Sequence, residues 1–356
     1  MIDFNPVTNE KGNCIAVGRG AIAIRLALES IKKENGKVLV PANICYAAVL
    51  PVIYAGYEPL FCDVDNISGN ITMDLVRQIS TVDVVAAIIP HMYGNPVKEL
   101  YEIVDYFHER DIVVIEDCAS MMTNTGKEYT PGTLGDFVVY STGYSKTIDI
   151  GYGGLLYSSK YKLKDLEEIE RRFDRFNSDY EQEWSIFSAI YRVLRNTNQY
   201  SALAQSLYKN LPDVLKPSYT FSLSAKEKQK ILDIIINDLD DVIRERKRKY
   251  SIYYDLLNCK DCIYEFDQDA VPWRFNLIIG EERKKLIDYC LERKVPVSDW
   301  YPLVTPIFRN KEHFEGAEWH EKHIVNFPIL ISDEQIFNIC KTINSFYKDN
   351  ADWMVS

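Results

Sequence analysis

Residues 135–154 read Gly-Asp-Phe-Val-Val-Tyr-Ser-Thr-Gly-Tyr-Ser-Lys-Thr-Ile-Asp-Ile-Gly-Tyr-Gly-Gly. The apolar run from Phe137 to Tyr140 predicts a strand, and a short polar loop that carries Lys146 follows it. A second polar break, Glu116 to Ser120, follows the strand predicted over residues 112–115. The chain therefore carries a carboxylate and a lysine shortly after two successive apolar strands.

The composition bounds the class of protein. The 356 residues are 47% hydrophobic and 26% charged, which is typical of a soluble protein with two domains or one large and one small domain. The net charge of −11 argues against a nucleic-acid partner, because nonspecific phosphate-backbone binders present a basic surface. The amino terminus has no signal-peptide pattern, and no apolar run reaches the roughly 20 residues that span a bilayer. We expect a cytoplasmic protein with no membrane partner.

Eight cysteines at irregular spacing are expected to be reduced thiols in that compartment. Cys259 and Cys262 form a single Cys-x-x-Cys motif. A zinc site needs a second such pair or nearby histidines, and the chain has five histidines in all. Two incidental cysteines are therefore favoured over metal or redox use, and we expect no metal site.

Apolar segments alternate with helical patterns through the first half of the chain. Short strands are predicted over residues 37–41, 59–65, 82–90, 112–115 and 137–140. Strands that are apolar throughout predict an α/β fold with a parallel sheet covered by helices on both faces. Ligand sites in such sheets lie beyond the carboxyl ends of the strands. Polar residues collect at those positions: Asn43 and Tyr46, Asp63, His91 and Tyr93, Asp117 and Ser120, Ser141 and Lys146.

The second half predicts a different organisation. We place a large domain at residues 1–235, with a divergent helical segment over about 160–217, and a small α+β domain at residues 236–356. A long helix is predicted to start after Ser224, whose hydroxyl suits an N-cap with Glu227 three residues on, and to continue to Leu256. Within the small domain, residues 295–298 are predicted to form a short strand.

The residues at the strand ends match the needs of pyridoxal phosphate. This cofactor requires a lysine amine for attachment and a carboxylate that keeps its ring nitrogen protonated, and Lys146 and Asp117 meet these needs. Its phosphate requires donors, and a helix that starts at glycines offers free N–H groups. Candidates for the phosphate are Arg19, Gly20, Ala21 and Ser141, and candidates for packing on the ring are Cys45 and Tyr46. A solvated loop lysine and an N-capping aspartate are the alternatives, but neither explains the pair.

At these positions the chain resembles the DegT/StrS family of pyridoxal-phosphate-dependent sugar aminotransferases, which have the aspartate-aminotransferase type of fold. The family's Gly-x-Gly-Thr, His-x-Tyr-Gly-x-Pro and Ile-Glu-Asp-Ala-Ala motifs correspond to Gly18–Ala21, His91–Pro96 and Ile115–Ala119. Further colinear matches are Val40-Pro41, Ala55-Gly56, Pro59 to Asp65, Gly135-Asp136, Ser141, Lys146, Gly153-Gly154, Tyr301-Pro302 and Asn326 to Pro328. The resemblance covers nearly the whole chain and implies a mainly parallel sheet of the seven-stranded type.

The resemblance also implies an activity. Lys146 would attach the cofactor and move the proton, and Asp117 would hold the ring nitrogen cationic. The amino group would pass from an amino acid, with glutamate expected, to a nucleotide-linked keto-sugar in amino-sugar and polysaccharide biosynthesis. The family's active sites lie between two subunits, so a homodimer is expected. One branch of the family has histidine in place of the lysine and dehydrates its substrate, and Lys146 argues against that branch.

The chain departs from the family pattern at several points. Ala21 stands where threonine is common, Cys45 aligns with the stacking aromatic, and Ser120 replaces a glutamine or histidine. The asparagine that a neighbouring subunit gives to the phosphate is not recognisable near residues 219–222. The substrate is therefore left open. One alternative is a pyridoxal-phosphate enzyme that acts on another ketone, such as a cyclitol ketone. The other is a non-catalytic protein of the same fold that serves as a partner or sensor.

Overall fold

The computed structural model describes residues 1–349 except 32, 34, 126–129, 196 and 197. The strands of the described residues are β1 Ile2–Phe4, β2 Lys11–Val17, β3 Lys37–Pro41, β4 Glu58–Cys62, β5 Val84–Pro90, β6 Val113–Asp117, β7 Phe137–Ser141, β8 Gly154–Ser158, β9 Asp174–Arg175, β10 Phe221–Ser222, β11 Phe275–Ile278 and β12 Ile324–Phe327.

The α-helices of the same residues are α1 Gly20–Ser30, α2 Tyr46–Tyr54, α3 Met73–Arg77, α4 Leu100–His108, α5 Lys164–Glu170, α6 Ser178–Arg195, α7 Ala202–Leu215, α8 Ala225–Leu256, α9 Arg283–Glu292, α10 Glu315–His323 and α11 Asp333–Asp349. None of the helices among the described residues is both long and apolar enough to cross a membrane.

One large sheet organises the first half of the chain. Its strand order across the described residues is β1-β2-β8-β7-β6-β5-β3-β4. Strands β3 to β7 run parallel, whereas β8 is antiparallel to both β7 and β2, and β1 is antiparallel to β2. The expected α/β fold with a mainly parallel sheet is confirmed. The sheet has eight strands in the described chain rather than seven, because the short β1 pairs with the edge of β2.

The strands predicted in the first half occur within a few residues of the expected bounds. The predicted long helix is confirmed at both ends. Ser224 caps α8, and the Ser224 and Glu227 side chains form a reciprocal capping box with the backbone N–H groups. The strand predicted over residues 295–298 is wrong, because within that range only an isolated bridge forms, between Ser298 and Asn326.

Two buried clusters lie on either side of the middle of α8. The first fills the faces of the large sheet and takes in Leu303 to Ala317 from late in the chain. The second packs β11, β12, α9 and α11 against the end of α8. Because α8 passes residue 235 without interruption, it connects both clusters, and the division at that residue stays a prediction.

The cysteine expectation is wrong for one pair. Cys259 and Cys262 are joined in a disulfide just after α8. The other six cysteines are free, and all except the half-buried Cys45 are buried. The disulfide therefore closes a small covalent loop between the end of α8 and the start of β11.

Candidate active site

The carboxyl ends of β6 and β7 bring the two predicted key residues together. Asp117 ends β6, and its Cα pairs with that of Val139 two residues before the end of β7 at Ser141. Lys146 lies in the loop that follows β7. The Asp117 carboxylate and the Lys146 ammonium interact electrostatically, and each changes the pKa of the other. The parallel register therefore places the acid and the amine at one edge of the sheet.

The pKa values of both groups depend on this shared environment. Burial raises the pKa of Asp117, and the Ala119 N–H, Lys146 and His91 offset only part of that rise. Burial by itself would lower the pKa of Lys146, but Tyr301, Cys45 and Asp117 together raise it. The lysine is thus held as a cation in surroundings that hold a compensating carboxylate.

A buried arginine fixes the backbone at Lys146. The Arg246 guanidinium, on α8, is 2% exposed and donates to the carbonyl oxygen of Lys146 at 2.6 Å and to that of Thr147 at 3.3 Å. The same guanidinium donates to the carbonyl oxygens of Pro272 and Trp273 at 3.1 and 2.9 Å. One side chain therefore ties the lysine loop to the segment that leads into β11.

The residue before Lys146 is held just as firmly. Ser145 has φ of 60°, a left-handed conformation that is uncommon for a residue with a side chain. Its N–H donates to the Asp149 carboxylate at 2.7 Å, and its carbonyl accepts the indole N–H of Trp273 at 2.5 Å. Such conformations persist only where the surroundings enforce them, so the loop presents Lys146 in a defined direction.

The start of α1 lies against the end of β7 and offers a place for a phosphate. A Cβ on Gly20 would lie only 3.0 Å from the Cβ of Ser141, so a larger residue would press the helix against the end of β7. A Cβ on Gly154 would lie 2.5 Å from the Gly20 nitrogen. Ala21 follows in the first turn, which has no acidic side chain. The free N–H groups of α1 and the Ser141 hydroxyl therefore form one small cradle suited to an anion.

Of three other residues predicted to bind the cofactor, two lie near Lys146 and one lies against α6. Cys45 interacts electrostatically with both Lys146 and Asp117, and Ser120 acts on the pKa of the Tyr301 hydroxyl, which itself interacts with Lys146. Tyr46 lies elsewhere: its hydroxyl is 2.9 Å from that of Ser188 on α6.

The rings around Tyr46 explain its direction. Its ring makes edge-on contacts with Phe187 and Tyr191 of α6, at centroid distances of 5.3 and 5.4 Å. The Arg19 guanidinium lies 5.8 Å from the centroid of Phe221. The geometry thus brings Cys45 and Ser120 to the lysine, places Tyr46 against the divergent helical segment, and stacks Arg19 on an aromatic ring.

Glu116 forms a buried hydrogen-bond network near the site. Glu116 is fully buried and accepts hydrogen bonds from His91 and from the backbone N–H groups of Gly132, Leu134 and Gly135. Burial by itself would raise the pKa of Glu116, but these hydrogen bonds lower it. The carboxylate thereby orders the loop that leads into β7.

The same residues form the cluster most like a metal site in the described part of the chain. The ligand atoms of His91, Glu116 and Cys118 lie within 4.8 Å of one another. However, His91 Nδ1 already accepts the Val97 N–H at 3.1 Å, and Glu116 is occupied by its N–H donors. We therefore assign this cluster a structural role.

Comparison with known proteins agrees with this geometry. Residues 7–222 match the model of the DegT/DnrJ/EryC1/StrS aminotransferase family. The chain belongs to this family. It is 26% identical over 347 residues to the GDP-perosamine synthase of Escherichia coli O157:H7, covering 94% of this chain and 85% of that protein.

Two solved structures share the fold. The aminotransferase TlmJ from Streptoalloteichus hindustanus has a TM-score of 0.71 at 19% identity, covering 95% of this chain and 86% of that one. The E. coli GDP-4-keto-6-deoxy-D-mannose-3-dehydratase with bound hydrated PLP has a TM-score of 0.68 at 17% identity, covering 93% of this chain and 87% of that one.

As a member of this family, the protein is an aminotransferase whose cofactor is pyridoxal phosphate. The residues fit this group. Asp117 Oδ1 accepts the Ala119 N–H at 2.9 Å, and no hydrogen bond to Oδ2 occurs from any described residue, which leaves an acceptor for a protonated ring nitrogen. The cradle at Gly20 and Ser141 suits the phosphate, and Lys146 supplies the amine.

Two side chains that contact the lysine loop of the aminotransferase were not predicted from the sequence. Arg246 lies in a run of charged residues, Arg244 to Lys249, that looks like the solvated face of a helix. Arg274 precedes β11, and its guanidinium donates to the hydroxyls of Ser145 and Ser298. Neither position has a local signal, because both act on a loop more than 90 residues earlier in the chain.

Proposed function

We propose that the enzyme transfers an amino group from an amino acid, with glutamate as the donor, to a keto-sugar carried on a nucleotide. The close placement of Lys146 and Asp117 at adjacent strand ends carries this proposal. The relative from E. coli O157:H7 is named for an amino-sugar linked to GDP, which supports the class of acceptor. Family membership supports the reaction type.

The side chains have separate tasks in this reaction. Pyridoxal phosphate, when bound, supplies an electron sink for the charge that remains when a proton leaves the carbon next to nitrogen. Lys146 would attach the group through its amine and, once displaced by the donor, would carry the proton between two carbons as a general base and acid. Asp117 would keep the ring nitrogen protonated. The Gly20–Ser141 cradle would fix the phosphate end.

Incubation of the pyridoxal-phosphate-loaded protein with nitrogen-15 glutamate and GDP-4-keto-6-deoxy-D-mannose tests this proposal. We expect mass spectrometry to detect a sugar nucleotide that carries the label, together with 2-oxoglutarate. A panel of other nucleotide-linked keto-sugars, incubated in the same way, identifies the acceptor if GDP-4-keto-6-deoxy-D-mannose is not aminated. Loss of water from the sugar without incorporation of nitrogen would contradict transamination and would favour dehydration.

We also propose a homodimer. An apolar stripe on α6 supports it: Ile186, Ile190 and Val193 follow one helical face and are 53%, 45% and 66% exposed. Exposed apolar faces of this kind are typical of interaction surfaces. Light scattering should give twice the chain mass of 41.2 kDa, and Ile190→Glu should shift the protein toward monomer. The same substitution at Val82, which is 70% exposed and lies outside α6, provides the control.

A cytoplasmic location is proposed as well. Six free cysteines support it, because thiols persist in a reducing compartment. A reducing compartment would reduce the Cys259–Cys262 disulfide to two thiols. Cell fractionation, followed by alkylation of thiols before lysis, measures both the location and the state of this pair.

A further inference from the structure

Three cations stand at the edge of the sheet in an otherwise acidic protein. Lys146, Arg246 and Arg274 lie along one loop, whereas the whole chain has a net charge of −11. Asp117 provides a carboxylate that interacts with Lys146. Among the described residues, no carboxylate lies within ion-pair distance of either arginine. The site therefore attracts anions although the chain as a whole repels them.

The two arginines differ in how their donors are used. Every nitrogen of the Arg246 guanidinium donates to a backbone carbonyl, so this side chain is committed to the protein. Arg274 donates only to two hydroxyls in the described chain, that of Ser298 at 2.6 Å and that of Ser145 at 3.1 Å. An arginine has five N–H donors, so three are left for another partner.

Arg274 is also held in place next to the reacting amine. Its guanidinium lies 4.6 Å from the ring centroid of Trp273, whose indole N–H is bonded to Ser145. By itself the charge of Arg274 would lower the pKa of Lys146, which Tyr301, Cys45 and Asp117 raise overall, and the same charge acts on Tyr301. A half-buried guanidinium that is stacked, directed by two serines and without a carboxylate is arranged for a charged ligand rather than for the protein's own stability.

We propose that Arg274 binds an anionic oxygen group, a carboxylate or a phosphate, of a substrate held at Lys146. This inference rests on the proposed function, which supplies both kinds of group. A carboxylate would come from the amino-acid donor, and a phosphate would come from the nucleotide of the acceptor. In either case the guanidinium orients the substrate relative to the lysine amine by paired charged hydrogen bonds.

The test compares apparent affinities rather than product formation, and with L-glutamate the heat signal includes the first half-reaction. The pyridoxal-phosphate-loaded wild type, Arg274→Gln, Arg274→Lys and Arg293→Gln are titrated by calorimetry with L-glutamate as the carboxylate probe and with GDP as the phosphate probe. Arg293 is a matched control, because its guanidinium also stacks on an aromatic ring, 3.4 Å from the centroid of Tyr289, but lies on the exposed surface.

We expect the Kd of one probe to rise at least tenfold in Arg274→Gln and less in Arg274→Lys, with the other probe and the control within twofold of the wild type. A rise for glutamate identifies the carboxylate, and a rise for GDP identifies the phosphate. The proposal is overturned if neither probe binds the wild type, if both Kd values stay within twofold, or if the variant loses pyridoxal phosphate instead. Glutamate that binds through Arg274 without changing the cofactor's absorbance would contradict the proposed function but support the anion site.

Discussion

The guanidinium of Arg246 donates a 2.6 Å hydrogen bond to the backbone oxygen of Lys146, although 100 residues separate them in sequence. The same group bonds the carbonyl oxygens of residues 272 and 273. Burial lowers the pKa of Arg246 to about 10, so the group is still a cation at neutral pH. The long helix α8 therefore sets the position of the lysine loop relative to the second cluster.

Replacement of Arg246 by glutamine should loosen this loop. The shorter neutral side chain cannot bridge both segments, and we expect a loss of about 2–4 kcal/mol in the free energy of unfolding, because several buried carbonyls lose their donor. The affinity for pyridoxal phosphate should fall as well. Urea unfolding and cofactor titration measure the two effects.

Arg244 offers the control for this change. It lies on the same helix but is exposed and pairs with Asp241 at the surface. Arg244→Gln should change stability by no more than about 0.5 kcal/mol. If both variants lose the same free energy of unfolding, the hydrogen bonds from Arg246 to the Lys146 loop do not stabilise the protein.

Asp117→Asn should keep the cofactor bound but slow transamination. The amide has the shape of the carboxylate but cannot hold a positive charge on the ring nitrogen, so we expect the rate of each half-reaction to fall by roughly 10²–10³-fold. Stopped-flow absorbance with glutamate measures the first half-reaction. Asp105→Asn, on the exposed face of α4, should leave it unchanged, and a wild-type rate in Asp117→Asn would remove that residue from the chemistry.

Glu116→Gln should destabilise the protein near neutral pH by about 3 kcal/mol, because an acceptor of four hydrogen bonds gains an N–H group that faces other donors. The pKa of Glu116 is lowered in the folded state. Its contribution is therefore present above the unfolded pKa and is lost as the pH falls through the folded pKa. The gap between variant and wild type should accordingly narrow in acid, whereas a gap that widens would contradict this role.

His320 should make stability fall on mild acidification. It is fully buried and stacks on Tyr93, and burial lowers its pKa from 6.5 to about 4. The unfolded chain binds a proton at this residue below about pH 6.5, whereas the folded chain does not until about pH 4. Stability should therefore drop by up to about 1.4 kcal/mol per pH unit in that window.

Denaturant unfolding at several pH values checks this slope in His320→Gln and in the wild type. The variant should show a flatter dependence between pH 6.5 and 4. His313→Gln is the control, since His313 is 92% exposed, and its dependence should follow that of the wild type. Identical slopes in all three proteins would show that His320 does not carry the effect.

Local patterns were enough to predict much of the fold and the meeting of Asp117 and Lys146 at one edge of the sheet. Apolar strands with polar ends predicted the edge of the sheet at Asp117 and Lys146, and Ser224 with Glu227 predicted the start of α8. Strand β8 was missed, because it begins at Gly154 in a glycine-rich stretch that indicates a bend. Contacts such as those of Arg246 and Tyr46 depend on packing between distant segments, and no periodicity of one sequence encodes them.

The attachment of pyridoxal phosphate to Lys146 can be measured directly. The purified wild type, loaded with the cofactor, should show an absorbance band at about 410–430 nm that disappears when glutamate is added. After borohydride reduction, peptide mass spectrometry should find the cofactor on Lys146. Lys146→Ala should lack the band and form no aminated sugar, while Lys98→Ala, at an exposed lysine, should behave as the wild type. Aminated product from Lys146→Ala, or label on another lysine, would contradict the assignment of Lys146 as the residue that holds the cofactor.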